Sequence, residues 1–275
     1  MRTIAVANQK GGCGKTTTAV NLAAAFATRG YRVLLVDLDP QGNATLGLGY
    51  KPTHLHSTLY HAMTQDHVRL SDVVLPTKVS RLDVAPSNVL LAGAELDLRG
   101  APGKELVLGE LLRQVAHAYD FCVIDCSPSL GLLSLNALVA STDVVAPVQV
   151  HYYALEGLQR LLDMIRVLRE RFRPCAVQPL GLLLTFVDDR TLLSRRLQKG
   201  MRRHFGPLVF DTVVHAAVGL AESPSVGQTI LTYAPETRAA REYLALADEA
   251  LGRIGIRNGT HQTGCAEVPA RSVAV

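Results

Sequence analysis

The string Gly11-Gly12-Cys13-Gly14-Lys15-Thr16-Thr17 is the part of this chain best suited to chemistry. It follows the apolar run TIAVAN and leads into TTTAVNLAAAF, so a strand enters it and a helix leaves it. A phosphate-binding loop needs that context. Glycines let the backbone come close to phosphate oxygens and turn its N–H groups toward them. The positive end of the following helix lies at the same spot. Lys15 is then placed to reach the β- and γ-phosphates, Thr16 to bind Mg²⁺ through its hydroxyl, and Thr17 to donate a further hydrogen bond. These residues point to Mg-ATP. Lys15-Thr16 and the flanking elements argue against a glycine turn without a ligand. Cys13 reads as a space-filling residue of the loop.

The loop departs from GxxxxGK[ST]: Gln9 stands where the first glycine is expected, and Lys10 follows it. A lysine there could cross to the nucleotide of a second copy, paired face to face, and stabilise charge on the transferring phosphoryl group. The alternative is a solvated lysine.

Carboxylates supply the remaining parts. Asp37 and Asp39 leave the run VLLVD with one residue between them, so both can face the phosphate loop. Asp39, before the turn Pro40-Gln41-Gly42, is the candidate for orienting the attacking water and for the surroundings of the metal. Asp37 is expected to support the loop or the metal shell. Either can instead be a turn carboxylate. Asp125 ends the run FCVID, where a second acid can hold Mg²⁺ through water, and Ser127–Gly131 form a loop able to sense the γ-phosphate.

Such residues need a scaffold. Strands are expected at Thr3–Asn8, Arg32–Asp37, Leu82–Ala85, Phe121–Asp125, Asp143–Val148, Leu180–Thr185 and Val209–Val213. Several are apolar at consecutive positions, as strands buried on both faces are. Helical patterns alternate with them: Thr16–Arg29, Glu105–Ala118, Leu130–Ala140, Ala154–Phe172, Thr191–Phe205 and Glu236–Ile254. This predicts an α/β fold with a doubly wound, mostly parallel sheet flanked by helices. The stretch 42–80 is irregular, with room for a short helix or two. Residues 1–256 read as one ATPase domain, and the polar, aperiodic residues 257–275 as a disordered tail.

Composition excludes other classes. With 275 residues, 48% of them hydrophobic, one substantial core is expected. Aromatics are few and tryptophan is absent, which disfavours an aromatic nucleic-acid platform. The net charge of +4 permits an anionic partner without demanding one. Five cysteines without paired short spacing argue against a disulfide framework or zinc ribbon, and reduced thiols suit the cytoplasm. The start carries no signal peptide, and no apolar run suits a bilayer span. His54, His56, His61 and His67 lack the spacing of metal ligands. The stripe Leu155, Leu158, Leu161, Leu162, Ile165 and Leu168 reads as helix core, with a dimer face as the alternative.

The strings ANQKGGCGKTTTAVNLAAAFATRGYRVLLVDLDPQGNAT, VIDCSPSLGLLSLNALVA, VHYYALEGLQRLLDMI, GLLLTFVDDRT and LAESPSVGQTI resemble the ParA family of partition ATPases, in particular its chromosomal Soj-like branch. The likeness runs from about Arg2 to about Ile254. It implies a P-loop NTPase of the deviant Walker A type that forms a sandwich dimer on ATP. It also implies duplex DNA binding without sequence preference. Slow hydrolysis would be stimulated by a ParB-like (Spo0J-like) protein at a centromere-like site, in the cytoplasm and on the nucleoid. By position, Lys10 is the dimer-crossing lysine, Lys15 and Thr16 the phosphate and metal residues, Asp39 the hydrolysis residue and Asp125 the second acid.

The departures lie in two places. Ser127 replaces the first proline of DCPPSLG. In VVHAAVGLAESPS, where relatives read IPRNVRLSEAPS, His215 takes the place of proline, Ala216 of arginine, Ala217 of asparagine and Gly219 of a second arginine. The proline and asparagine line the adenine site in relatives and the arginines contribute to DNA binding. His215 and Ala217 are therefore the expected adenine neighbours, with altered contacts, and DNA binding needs other cations. Arg195, Arg196, Lys199, Arg202 and Arg203 supply them on one helix, with Arg195, Lys199, Arg202 and Arg203 near one side. The alternative is a solvated face. Arg166, Arg169, Arg171 and Arg173 form a second cluster, which reads as a helix end. Two other functions stay open: a MinD-like positioning ATPase for a protein cargo or membrane surface, and a weakly hydrolysing nucleotide switch. The tail's low amphipathicity argues against membranes.

Overall fold

A computed structural model of the chain describes residues 1–129, 131–150, 154–172 and 175–256, with the side chains of 154–156 left out. The chain runs β1 (Arg2–Val6), α1 (Lys15–Thr28), β2 (Val33–Leu38), α2 (Asn43–Gly47), α3 (Leu59–Thr64), α4 (Leu70–Val73), β3 (Leu75–Pro76) and β4 (Leu82–Ala85). It continues through α5 (Ala94–Asp97), α6 (Val107–Val115), β5 (Phe121–Cys126), α7 (Leu132–Ala140), β6 (Asp143–Gln149) and α8 (Ala154–Arg171). It closes with β7 (Gln178–Val187), α9 (Leu192–Phe205), β8 (Val209–His215), α10 (Val218–Glu222), α11 (Ile230–Tyr233) and α12 (Arg238–Ile254).

The strands form one eight-stranded sheet in the order β3-β4-β2-β5-β1-β6-β7-β8. Every pairing is parallel except β3 with β4 at one edge. In β2 and β5 all six residues are buried, because helices cover both faces. Successive side chains alternate between two cores. Leu34, Val36 and Ile124 join α3, α4, α6, α7 and α8 on one face. Val33, Leu35 and Val123 join α1 and α12 on the other. Helix α1 is alanine-rich and buried almost all round, which lets it lie between the sheet and α12. Phe26 anchors it by stacking on Phe121 with ring centroids 4.6 Å apart.

The expected strands and long helices are all present, with ends shifted by a few residues. β1 stops at Val6, where the chain turns into the phosphate loop, and β8 extends to His215. The stretch 42–80 is more ordered than its composition suggests: α2, α3, α4 and β3 lie within it. Polar side chains punctuate it, for the Thr58 N–H donates to His61 Nδ1 at 3.2 Å and so caps α3. β3 has two residues, one of them proline, too little for any periodic signal. Arg173 and the tail from 257 lie outside the described residues.

Candidate nucleotide site

β1 sits at the centre of the sheet, between β5 and β6. The chain after β1 crosses to β2 on one side and after β5 to β6 on the other, and open α/β sheets bind ligands at such a switch point. The loop 7–14 leaves the carboxyl end of β1 there. Gly12 and Gly14 have φ of 71° and 87°, a left-handed region that strains any side chain. Gly14 opens α1 directly. Asn8 holds the start of the loop by donating to the Pro147 carbonyl at 2.7 Å. Thr185 of β7 holds its middle, donating to the Cys13 carbonyl at 2.9 Å. Cys13 is fully buried, and burial pushes its thiol pKa up, against the pull of the Lys15 charge. Lys15 is largely buried and its Nζ donates to the Lys10 carbonyl at 3.0 Å, which folds the ammonium into the loop. Lys10 itself is half-buried, and its side chain makes no ion pair among the described residues.

The carboxylates meet beside this loop. Asp37 and Asp125 are register partners on β2 and β5, and both are fully buried. Asp37 is well satisfied: it accepts from Thr45 N at 2.8 Å, Thr45 Oγ1 at 2.7 Å and Asp39 N at 3.2 Å. Burial nevertheless raises its pKa to about 6, against the pull of those hydrogen bonds. These bonds tie Asp37 to the turn after β2 and to α2. Asp125 differs: neither of its carboxylate oxygens has a hydrogen-bond partner. Burial, followed by the Asp37 charge, raises its pKa well above the carboxylate range, and Thr16 and Lys15 offset only part of that. A buried, orphaned carboxylate beside a threonine hydroxyl and a lysine is costly in a polypeptide alone. It fits a divalent cation, which Thr16 and Asp125 would hold, the acid through water. Asp39 is largely buried, with its carboxylate accepting from Gln41 N at 2.9 Å across the turn.

A cavity of about 140 Å³ adjoins the loop at Gly14 and Thr17. His215 and Ala217 line it, together with Thr185, Phe186, Leu220 and Tyr243. Its walls are mostly apolar and suit a flat heteroaromatic ring. The His215 ring is held at its edges: Nδ1 lies 2.6 Å from Glu242 Oε1 and Nε2 lies 2.7 Å from Asp189 Oδ2. Arg238 adds a contact to Glu242 at 2.8 Å. Sequence reasoning missed Phe186, which has φ of 53° and is 48% exposed. Within GLLLTFV it is indistinguishable from core, because the positive φ that turns it outward leaves no trace in residue type.

The expected basic surface is split. Arg195, Arg196, Lys199 and Arg203 are exposed on α9 with no ion pair among the described residues. Arg202 departs from the stripe, for its guanidinium reaches the Asp211 carbonyl at 3.1 Å and carboxylate at 3.5 Å. Arg166 at the second cluster pairs with Asp163 at 3.5 Å.

Comparison with known proteins agrees with this geometry. Residues 1–176 match the family described as AAA domain. The sporulation initiation inhibitor protein Soj of Bacillus subtilis is 46% identical over 246 residues, covering 90% of this chain and 96% of the relative. The chromosome-partitioning ATPase Soj of Thermus thermophilus is 46% identical over 254 residues, covering 92% and 97%. A solved structure of cobyrinic acid a,c-diamide synthase from Mycobacterium smegmatis with bound ADP and magnesium is 34% identical, with a TM-score of 0.75 over 90% of this chain and 92% of that one. The septum site-determining protein MinD of Pyrococcus horikoshii, complexed with Mg-ADP, shares the fold at a TM-score of 0.75 and 24% identity, over 94% and 99%. On this sequence likeness, with the phosphate loop, paired acids and cavity assembled at the carboxyl ends of the strands, the chain belongs to the Soj/ParA family of chromosome-partitioning ATPases.

Proposed function

We propose that this protein is an ATP-switched partition ATPase. It binds Mg-ATP at Lys10–Thr17, pairs face to face with a second copy, and in that state holds duplex DNA through phosphate contacts. A ParB-like partner bound at a centromere-like site stimulates hydrolysis and releases the protein from the nucleoid. The orphaned Asp125 carboxylate beside Thr16 and Lys15 carries the nucleotide part of this reading. Mg²⁺, when bound, neutralises charge on the phosphates. Lys15 reaches the β- and γ-phosphates, Thr17 adds a hydrogen bond, and the N–H groups of Gly11–Gly14 cradle the oxygens. Asp39 orients the attacking water, and Lys10 reaches the nucleotide of the second copy, where charge develops in the transition state. Catalysis of this kind is positioning and charge neutralisation, so basal turnover is slow. His215 and Ala217 wall the base.

The DNA part rests on Arg195, Arg196, Lys199 and Arg203, since α9 contains no acid to neutralise them. Contacts to phosphate carry no sequence information and weaken as salt rises. The decisive experiment is ATP-dependent binding of random duplex DNA at two salt concentrations. The reading requires binding with ATP and magnesium that weakens at high salt; equal binding without nucleotide contradicts it.

A MinD-like role at an anionic lipid surface is the second reading. Leu192 and Leu193 are exposed at the start of α9, 56% and 65%, beside its cations, a combination that lipid interfaces accept. No described helix is long and apolar enough to cross a membrane. ATP-dependent co-sedimentation with anionic liposomes, without DNA binding, is the outcome that selects it.

A further inference from the structure

Ser87 lies outside every motif that touches nucleotide, yet it is fully buried and bonds to the backbone of Asp39. Its hydroxyl donates to the Asp39 carbonyl at 2.8 Å. Its own N–H donates to Thr45 Oγ1 at 2.9 Å. That same Thr45 hydroxyl donates to Asp37, whose other oxygen accepts the Asp39 N–H. The peptide groups on both sides of Asp39 are thus tied to one buried polar network, Asp37–Thr45–Ser87. The network is closed: each hydroxyl and carboxylate has its partners, so it rigidifies rather than strains. Its members come from the end of β2, from α2 and from the loop after β4, elements that the sheet and helix packing hold in place. A turn carrying a catalytic carboxylate gains a fixed position from such a brace, and displacement by about 1 Å can cost on the order of 10²-fold in rate.

We infer that Ser87 is a positioning residue for hydrolysis, bracing the Asp39 turn through the Asp39 carbonyl and the shared Thr45 hydroxyl. The inference rests on the reading of Asp39 as the residue that orients water. It adds a part that no phosphate contact supplies. Ser87→Ala is a clean probe, because the Asp39 carbonyl keeps its bond from Gly42 N at 2.9 Å and no buried acceptor is orphaned. The fold is therefore retained while one restraint is lost.

The test compares the wild-type chain, Ser87→Ala, Thr45→Ser and Thr45→Val at saturating Mg-ATP. Phosphate release, affinity for a fluorescent ATP analogue and the thermal midpoint are measured for each. Ser87→Ala should lower kcat about tenfold or more, with KM and analogue affinity within about twofold of wild type and the thermal midpoint close to it. Thr45→Ser, which keeps the hydroxyl, should retain most of kcat, and Thr45→Val should lose it. Unchanged kcat in Ser87→Ala, beside active wild type, overturns the inference and leaves the reading of the site intact. Loss of kcat in step with analogue affinity also overturns it, since that is the mark of a merely structural residue. A wild-type chain that binds ATP but never turns it over sinks the reading of Asp39 and this inference together.

Discussion

At the scale of single residues the site is built from charges the fold would not otherwise tolerate. Asp125 is buried, unpartnered and next to a second buried acid. Its raised pKa means that the native state favours the protonated carboxyl. The resulting penalty on stability is absent below the unfolded value, near 3.8, and grows as pH rises toward the raised folded value. Asp125→Asn should therefore stabilise the nucleotide-free, magnesium-free protein near neutral pH by about 1 kcal/mol or more, and flatten its pH profile. Denaturant melts across pH measure both. The same change should weaken magnesium-dependent nucleotide binding, the trade between stability and function that such sites show. Lys15→Ala should abolish ATP binding, because the Lys15 ammonium is bonded into the loop through the Lys10 carbonyl, and calorimetric titration with Mg-ATP reads this directly. Asp37, also buried, accepts three hydrogen bonds, from Asp39 N and from the N–H and hydroxyl of Thr45.

At the scale of elements, the seam between β8 and α12 sets one wall of the cavity beside the phosphate loop. Glu249 of α12 accepts from Asp211 N at 2.8 Å and Thr212 N at 2.9 Å, and pairs with Arg253 at 2.8 Å. Burial alone would raise its pKa, but the two N–H donors and the guanidinium overcome that and lower it from 4.5. The stability it contributes is present above the unfolded value and is lost as pH falls through the lower folded value. Glu249→Gln should destabilise the protein above pH 4.5, by about 1 kcal/mol for weakened charge-assisted bonds. The gap from wild type should close in acid; a gap that persists at low pH contradicts this account. Farther along the same strand His215 meets Glu242, so the two ends of β8 are tied to α12 by the same chemistry. The His215 ring is occupied at both nitrogens, and it presents a fixed wall to the cavity. Helix α9 turns its cations outward, with Met201 inward as a core contact. Charge reversal at Arg195, Lys199 and Arg203 should remove DNA binding and spare ATP binding. A gel shift beside a nucleotide titration separates the two, and unchanged DNA affinity removes α9 from the proposal.

At the scale of the whole molecule, the carboxyl ends of the parallel strands gather the loops that follow β1, β2, β5, β7 and β8. The strands β2, β5 and β1 that the phosphate-sensing loops would follow are neighbours, and pairing of two copies across that end of the sheet would couple them. Asp39→Ala should accumulate an ATP-bound dimer, since nucleotide still binds and hydrolysis stops. Light scattering with and without ATP measures it; a monomer in saturating ATP contradicts the pairing. Glu95 of α5 accepts from Leu133 N at 3.3 Å at the start of α7, and a Cβ on Gly131 would fall 2.1 Å from it. The start of α7 is thereby held by the same excursion of chain, between β4 and α6, that braces Asp39.

What the amino-acid order settled without help is local chemistry and its period. Consecutive apolar runs require a doubly covered parallel sheet, and GGCGKTT between strand and helix can hold little else than phosphate. Asp39 and Asp125 stand out as candidates in the sequence because strand ends carry ligand-facing residues in such sheets. Tertiary structure alone decided how the parts meet. Ser87 reached Asp39 across 48 positions, and Glu242 reached His215 across 27. Phe186 turned outward by a backbone angle that residue type does not encode, and Arg202 left its stripe for a neighbouring strand. The physical reason is range: periodicity and turn chemistry act over a few residues, whereas hydrogen-bond partners and burial depend on which distant segments the packed sheet brings within 3 Å.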